Sequence, residues 1–196
     1  MRGRLLDAGM QLFAEKGYRS TTVGEIEAAV GLQPRRGALY KHFPSKHALL
    51  EAGVQRHLDA VAEAASVMDD VALIDVRTEA RVLGQWLLAE LQRERELIRV
   101  LEQDGDRLPE LRARLRDRLS DAGYRATAQL VRRWAGPAAD ALDVDAVAVN
   151  LLGPVINFRR STWTFDRSPL GLDDARFLDA WVDLCTRVTD SSGVER

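Results

Sequence analysis

The sequence predicts an all-α protein in which a three-helix helix-turn-helix domain is followed by a larger C-terminal helical bundle, with about nine helices in total. Apolar residues recur at steps of three and four along nearly every segment. No window alternates apolar and polar residues with the β-branched enrichment typical of a strand. A chain of 196 residues that is 46% hydrophobic can bury a sizeable core. We place the domain boundary after residue 48, which gives domains of 1–48 and 49–196.

The first predicted helix spans about 2–16, where apolar side chains lie on one face at helical spacing. Gly17 suits the left-handed position that often follows a helix. We expect the next residue, Tyr18, to fold back on Phe13, because an apolar contact of this kind commonly accompanies such a helix end.

Three more short signals define the helices that follow. Thr22 and Glu25 have the spacing of a capping box, which predicts the start of a second helix. Pro34 can open a third helix of about 34–42 at its first position. Ser45 is a suitable cap for a fourth, longer helix.

The rest of the chain predicts a helical bundle. Its five helices are expected at about 75–93, 95–104, 108–134, 144–165 and 173–190. The fourth of these contains Gly153-Pro154, so a kink or a break is predicted there.

Positive charge is concentrated at the N-terminus. Residues 1–50 hold eight Arg or Lys against four Asp or Glu, a balance of +4, whereas the other 146 residues carry −6 in a chain of net charge −2. A basic segment on an acidic body indicates that one chain has two roles, of which binding a polyanion is one. Chance asymmetry of charge is the alternative.

The sequence predicts a protein without a membrane partner. The longest uncharged run, 146–158, has thirteen residues, and a membrane-spanning helix needs roughly 20. The N-terminus carries no apolar signal core. We therefore expect a cytoplasmic protein.

No pattern of a catalytic or metal site is found. The three histidines form no ligand pair at helical spacing, and phosphate-binding glycine loops and nucleophile elbows are absent. We expect no enzymatic activity, no cofactor and no metal. Cys185 is alone and lies on an apolar stripe, which favours a small hydrophobe over a redox sensor.

Two short helices joined by a glycine-containing turn match a helix-turn-helix unit. A short helix of this kind can enter the major groove of DNA. Its predicted reading segment, 34–42, carries several side chains that can contact DNA, namely Arg35, Arg36, Tyr40, Lys41 and His42. The helix after it opens with Ser45-Lys46, which offers backbone amides and a cation to phosphate.

Three stretches in fixed order carry a family resemblance: AGMQLFAEKGY at 8–18, TTVGEI at 21–26 and GALYKHFPSK at 37–46. Residues 5–50 resemble the N-terminal DNA-binding segment of the TetR family of transcriptional regulators. The resemblance implies a homodimer, a double-stranded DNA operator and a small-molecule effector that binds the helical bundle. It covers under a quarter of the chain.

The resemblance also implies roles for single residues. Four are expected to contact phosphate, and two stand where the family often touches bases: Thr22, Tyr40, His42 and Lys46 for phosphate, Ala38 and Lys41 for bases.

The sequence departs from the family pattern at two places. The family usually has four residues from the first turn glycine to the second, whereas Gly37 follows Gly31 by six. Arg35 and Arg36 lie in this insertion, and each can either read guanine or bind phosphate. Glu27 stands where the family favours a small alanine, and we expect it to pair with an arginine or to be exposed, pointing away from DNA.

The resemblance places further sites in the bundle. Four aromatic residues are candidates for an effector pocket, with ordinary core packing as the alternative: Trp86, Trp134, Phe158 and Trp163. The last two helices are expected to form the dimer interface through apolar residues: Leu151, Val155, Leu178, Trp181 and Cys185.

These observations predict a ligand-responsive transcriptional repressor that binds a palindromic operator as a homodimer and is released by a small-molecule effector. Three alternatives stay open: a transcriptional activator, a ligand-independent DNA-binding protein, and a helical protein-interaction module.

Overall fold

The computed structural model describes residues 1–34, 36–69 and 75–190. These residues form helices and no strand, which confirms the all-α fold class. Eight α-helices lie in the described part of the chain: α1 (Arg2–Lys16), α2 (Val23–Ala29), α3 (Lys46–Asp69), α4 (Val76–Asp104), α5 (Pro109–Leu115), α6 (Asp121–Ala135), α7 (Val144–Phe165) and α8 (Asp174–Asp190). None of the helices in this part is long and apolar enough to cross a membrane.

The predicted end of α1 is confirmed. Gly17 has a φ of 85°, and its amide donates to the carbonyl oxygen of Phe13 at 3.0 Å. The ring of Tyr18 packs edge-on against Phe13, with 5.2 Å between the ring centroids. Local sequence therefore fixes where the chain leaves α1.

Two helix starts are also as predicted. The Thr22 side chain accepts from the Glu25 amide, and the Glu25 carboxylate accepts from the Thr22 amide, which completes the capping box of α2. The Ser45 hydroxyl accepts from the Ala48 amide at 2.9 Å at the start of α3. Both caps satisfy amides that a helix leaves without an internal partner.

The prediction of a third helix over 34–42 is wrong. Among the described residues of this segment, the only regular element is a 3₁₀ helix of three residues, Leu39–Lys41. Gly37 has a φ of 72°, and an α-helix cannot continue through a residue in the left-handed region. The described residues between Gly31 and Gly37 are not helical, so the longer spacing does not extend the predicted helix.

The limits of the later helices differ from the prediction, although five are predicted and the described residues after α3 contain five α-helices. The segments predicted at 75–93 and 95–104 form the single helix α4, because no glycine or proline separates them. The segment predicted at 108–134 is divided, since five residues of π-helix, Arg116–Ser120, join α5 to α6. Helix α7 continues through Pro154 without a break.

The chain forms two compact units. The first consists of Met1–Ala65 and Arg93–Arg118, and the second of Ser66–Gln92 with the described residues from Leu119 onward. Helix α4 thus begins in the second unit and ends in the first. A functional boundary after residue 48 stays a prediction.

Each unit has a buried apolar interior. In the first unit, fully buried side chains come from α1, α2, the 3₁₀ turn and α3: Leu5, Phe13, Ile26, Leu39, Leu49 and Leu50. In the second unit, one core cluster joins side chains of α4, α6, α7 and α8, among them Ala80, Val131, Val155 and Val182.

Candidate nucleic-acid interface

The turn after α2 exposes three consecutive polar side chains between two buried apolar residues. Leu39 and Phe43 are buried, whereas the three residues between them, Tyr40, Lys41 and His42, are exposed, Tyr40 to 57%. A phenol, an ammonium and an imidazole therefore follow one another on the surface of the first unit. These groups can donate hydrogen bonds to phosphate or base edges. We call Tyr40, Lys41 and His42 the outward triplet.

The other residues predicted for this surface lie before the triplet. Arg36 is exposed and Ala38 is half-buried. Arg35 lies outside the described residues. Thr22 is exposed at the N-terminus of α2, where its hydroxyl and its amide both donate to the Glu25 carboxylate at 2.8 Å.

The Glu25 carboxylate is held in its charged form. It accepts a hydrogen bond from the Lys16 ammonium at 2.8 Å and two from Thr22. These bonds, that of Lys16 first, lower the pKa of Glu25 from 4.5 to about 2. The hydrogen bond with Glu25 in turn raises the pKa of Lys16. The end of α1 is thereby joined to the start of α2.

This pair predicts a pH dependence of stability. A carboxyl group whose pKa is lower in the folded protein contributes stability above its unfolded pKa, and that contribution is lost as the pH falls toward the folded pKa of about 2. We expect the stability of the first unit to fall from about pH 5 to about pH 2.5 by more in the wild type than in Glu25→Gln. Urea unfolding followed by circular dichroism at several pH values measures this. Parallel curves for the two proteins would contradict it.

Lys46 is engaged inside the first unit. Its ammonium donates to the carbonyl oxygens of Tyr18 at 2.6 Å and Thr21 at 2.7 Å, and lies 4.4 Å from the centroid of the Tyr18 ring. Burial lowers the pKa of this lysine. Lys46 therefore ties the first turn of α3 to the loop between α1 and α2. A contact of Lys46 with phosphate stays a prediction.

The same loop is bound to the end of α4. The Tyr18 amide donates to Oδ2 of Asp104, a buried carboxylate, at 2.6 Å. A Cβ atom at Gly17 would lie 3.1 Å from Oε1 of Gln103 and 3.2 Å from Oδ2 of Asp104, so glycine permits this close approach. Sequence reasoning missed the contact, because Tyr18 and Asp104 are 86 residues apart.

Two of the basic residues near the N-terminus make contacts within the unit. Arg4 donates from Nη2 to the carbonyl oxygen of Val30 at 3.0 Å. The guanidinium of Arg2 lies 4.7 Å from the centroid of the Phe43 ring. Both arginines therefore support the α2 end and the turn that carries the outward triplet.

The expectation that Glu27 is exposed is wrong. The exposed fraction of this residue is 0%. Its Oε1 accepts a hydrogen bond from the Leu39 amide at 3.0 Å. The only sign of this in the sequence is an acidic residue where the family favours alanine.

The comparison with known families decides what this segment is. The model of bacterial regulatory proteins of the tetR family matches residues 5–52. These residues are therefore similar to the TetR family. The match contains α1, α2, the outward triplet and the first turns of α3.

We call residues 5–52 the TetR-type segment. The curated relatives of this chain include two repressors. The HTH-type transcriptional repressor Rv1474c of Mycobacterium tuberculosis is 33% identical over 125 residues, which are 60% of this chain and 64% of the relative. The HTH-type transcriptional repressor KstR2 of Rhodococcus jostii is 43% identical over 58 residues, which are 30% of this chain and 28% of the relative. The chain thus spans less than two thirds of either relative.

A solved structure is similar to this chain over nearly its whole length. The fatty acid degradation regulator FadR of Bacillus halodurans superimposes with a TM-score of 0.68 at 20% identity, over 94% of each chain. At this identity the likeness concerns the fold alone.

Three of the four aromatic residues predicted for an effector pocket make specific contacts within the second unit. Phe158 is buried and stacks on Phe177, with 4.1 Å between the ring centroids. The indole nitrogens of Trp134 and Trp163 donate to Oε2 of Glu79 at 2.7 Å and to Oε1 of Gln92 at 3.1 Å. These contacts favour the alternative of core packing. The partly buried Trp86 stays, with the other three, a candidate for the pocket only as a prediction.

The five residues predicted for the dimer interface are buried within one copy of the chain. Their exposed fractions range from 0% to 5%: Leu151, Val155, Leu178, Trp181 and Cys185. They pack in the core cluster of the second unit and leave almost no surface for a partner. The apolar residues of α7 and α8 that do face outward include Val149 and Leu184, exposed to 52% and 54%. An interface on α7 and α8 stays a prediction, with these residues as its candidates.

Cys185 has the chemistry of a buried hydrophobe. Burial raises the pKa of its thiol to about 12, so the reactive thiolate is scarce at neutral pH. This agrees with the structural role predicted for the residue.

Proposed function

We propose that this protein is a ligand-responsive transcriptional repressor that binds double-stranded DNA as a homodimer. Residues 1–48 bind a palindromic operator, and residues 49–196 dimerise and bind a small-molecule effector that releases the protein from DNA. Because DNA is the partner, the protein acts in the cytoplasm. It carries out no catalysis.

The observation that supports DNA binding most directly is the outward triplet within the TetR-type segment. Three donors face away from the first unit while the residues on either side, Leu39 and Phe43, are buried. The balance of +4 in residues 1–50 favours the approach of a polyanion. The sign of regulation is taken from the two curated relatives, whose names describe repressors.

Dimerisation follows from the small size of the reading turn. A three-residue 3₁₀ helix reaches few base pairs, and two copies that read two half-sites supply the missing specificity. Val149 and Leu184 offer apolar surface for a partner copy. Release by an effector requires that the effector binds the DNA-competent and the released states with different affinity.

Fluorescence anisotropy tests the proposal. The full-length protein is titrated on duplexes from the DNA flanking its own gene and on a scrambled duplex, at two salt concentrations. Binding that survives the scrambled competitor supports a sequence-specific regulator. Equal binding to both duplexes that disappears with salt contradicts it. Release of the bound operator by a member of a small-molecule panel tests the effector.

Arg36→Ala separates base reading from phosphate binding in the insertion. If Arg36 reads guanine, we expect a loss of about 1–3 kcal/mol in binding the operator, with a lower ratio of specific to non-specific affinity. If Arg36 binds phosphate, affinity falls evenly on all sequences and the salt slope falls by about 1. Anisotropy at several salt concentrations measures both quantities. Arg99→Ala, which removes an exposed arginine from α4, is the control and should change neither.

A further inference from the structure

The turn that carries the outward triplet begins without a preceding helical turn. Gly37 is in the left-handed region and the 3₁₀ helix starts only at Leu39. The first amides of any helix lack an acceptor one turn earlier in the chain. Because Leu39 is fully buried, water does not replace that acceptor, and a buried amide without a partner is strongly unfavourable.

Glu27 of α2 supplies this acceptor from a different helix. Its Oε1 receives the Leu39 amide at 3.0 Å. Its backbone carbonyl oxygen receives the Leu32 amide at 2.9 Å. One residue therefore holds both ends of the longer loop, by its main chain just after Gly31 and by its side chain just after Gly37.

The burial of Glu27 points to the same role. A carboxylate is costly inside a protein unless hydrogen bonds compensate it, and a charged acceptor makes a stronger bond to an amide than a neutral one. An alanine at this position would leave the Leu39 amide without this acceptor. With the two-residue insertion, the Leu39 amide needs an acceptor from outside its own turn, and the acidic residue at position 27 provides it.

We propose that Glu27 is a positioning residue for DNA recognition. It anchors the enlarged loop at both ends and sets the orientation of the outward triplet, which follows Leu39 directly. Sequence selectivity then depends on a buried side chain that does not touch DNA. This inference rests on the proposed function, since it concerns the selectivity of DNA binding.

Two substitutions in the full-length protein test the inference. Glu27→Met fills a similar volume but has no acceptor, and Glu27→Gln retains a side-chain carbonyl oxygen. The probe is a duplex selected by the wild type from a random-sequence library, with a scrambled duplex for comparison. We expect Glu27→Met to lower the ratio of specific to non-specific affinity by about tenfold, the equivalent of one charge-assisted hydrogen bond. Glu27→Gln should stay within about twofold of the wild type.

Amide hydrogen exchange and thermal unfolding distinguish positioning from a general loss of stability. The Leu39 amide should be protected in the wild type and should exchange faster in Glu27→Met, by more than the amides of α1 do, because the lost acceptor acts locally even where the melting temperature also falls. Glu15→Met, at an exposed glutamate of α1, is the matched control and should change neither selectivity nor Leu39 exchange.

Several results would overturn the inference. These are an unchanged affinity ratio in Glu27→Met, an equal loss of selectivity in both Glu27 variants, or an unprotected Leu39 amide in the wild type. If Glu27→Met does not fold, the inference is tested by the selectivity of Glu27→Gln and by the exchange rate of the Leu39 amide in the wild type. If the wild type selects no duplex, the proposed function fails, whereas Leu39 exchange in the Glu27 variants still decides whether Glu27 holds the turn.

Discussion

Trp181→Ala lowers the free energy of unfolding of the second unit by about 3–5 kcal/mol, the range for deletion of a large buried aromatic side chain. Only 3% of Trp181 is exposed, in the core cluster of this unit. Its indole nitrogen donates to the carbonyl oxygen of Leu151 at 2.8 Å. The loss therefore combines a cavity with the removal of a buried hydrogen bond.

Tryptophan fluorescence during urea unfolding measures this loss. All four tryptophans belong to the second unit, so the three that remain report on that unit alone. Trp181→Phe keeps most of the volume and should cost about 1–2 kcal/mol. Trp163→Ala makes the same substitution at a half-buried tryptophan of α7 and should cost less than half as much as Trp181→Ala. Equal losses of unfolding free energy in the two alanine variants would contradict the expectation that the more buried tryptophan contributes more to stability.

Lys46→Ala is expected to destabilise the first unit by about 2–3 kcal/mol, because it removes charged hydrogen bonds and a cation–π contact together. The carbonyl oxygens of Tyr18 and Thr21 lose their donor, and the loop between α1 and α2 loses its link to α3. Protection of the α1 amides in hydrogen exchange is the direct measurement, since the first unit contains no tryptophan.

Lys41→Ala is the matched control for this prediction. Lys41 is an exposed lysine only five residues earlier, and its removal should change stability by less than about 0.5 kcal/mol. If Lys46 serves only as a phosphate contact, Lys46→Ala would behave like Lys41→Ala, with lower DNA affinity and unchanged exchange. That result would contradict the internal role of Lys46.

The helix ends could be predicted from sequence where the determinants are local. The end of α1 at Gly17 and the start of α2 at Thr22 each depend on residues within a few positions of one another, and both are as expected. The family match over 5–52 likewise rests on a contiguous segment. The insertion before Gly37 has no such local rule, and its loop conformation was not foreseen.

Long-range polar pairs could not be predicted for a related reason. Glu27 bonds to Leu39, Lys46 to Tyr18, and Tyr18 to Asp104 across separations of 12, 28 and 86 residues. A single sequence gives no signal that two such residues meet.

Hydrophobic periodicity has a similar limit, because it identifies the apolar face of α8 without telling whether that face meets its own chain or a partner. The structure assigns Trp181 and Cys185 to the chain's own core.

The discontinuity of the first unit has a consequence for biosynthesis. Tyr18 and Glu51 leave the ribosome early, but their partners Asp104 and Arg114 lie in the part of the unit that follows residue 92. At about 5–20 residues per second, translation needs several seconds to supply that part. During this time the segment 5–52 exists as part of an incomplete nascent chain. A truncated product that ends before α4 would therefore lack the finished unit and should be degraded faster than the full-length chain.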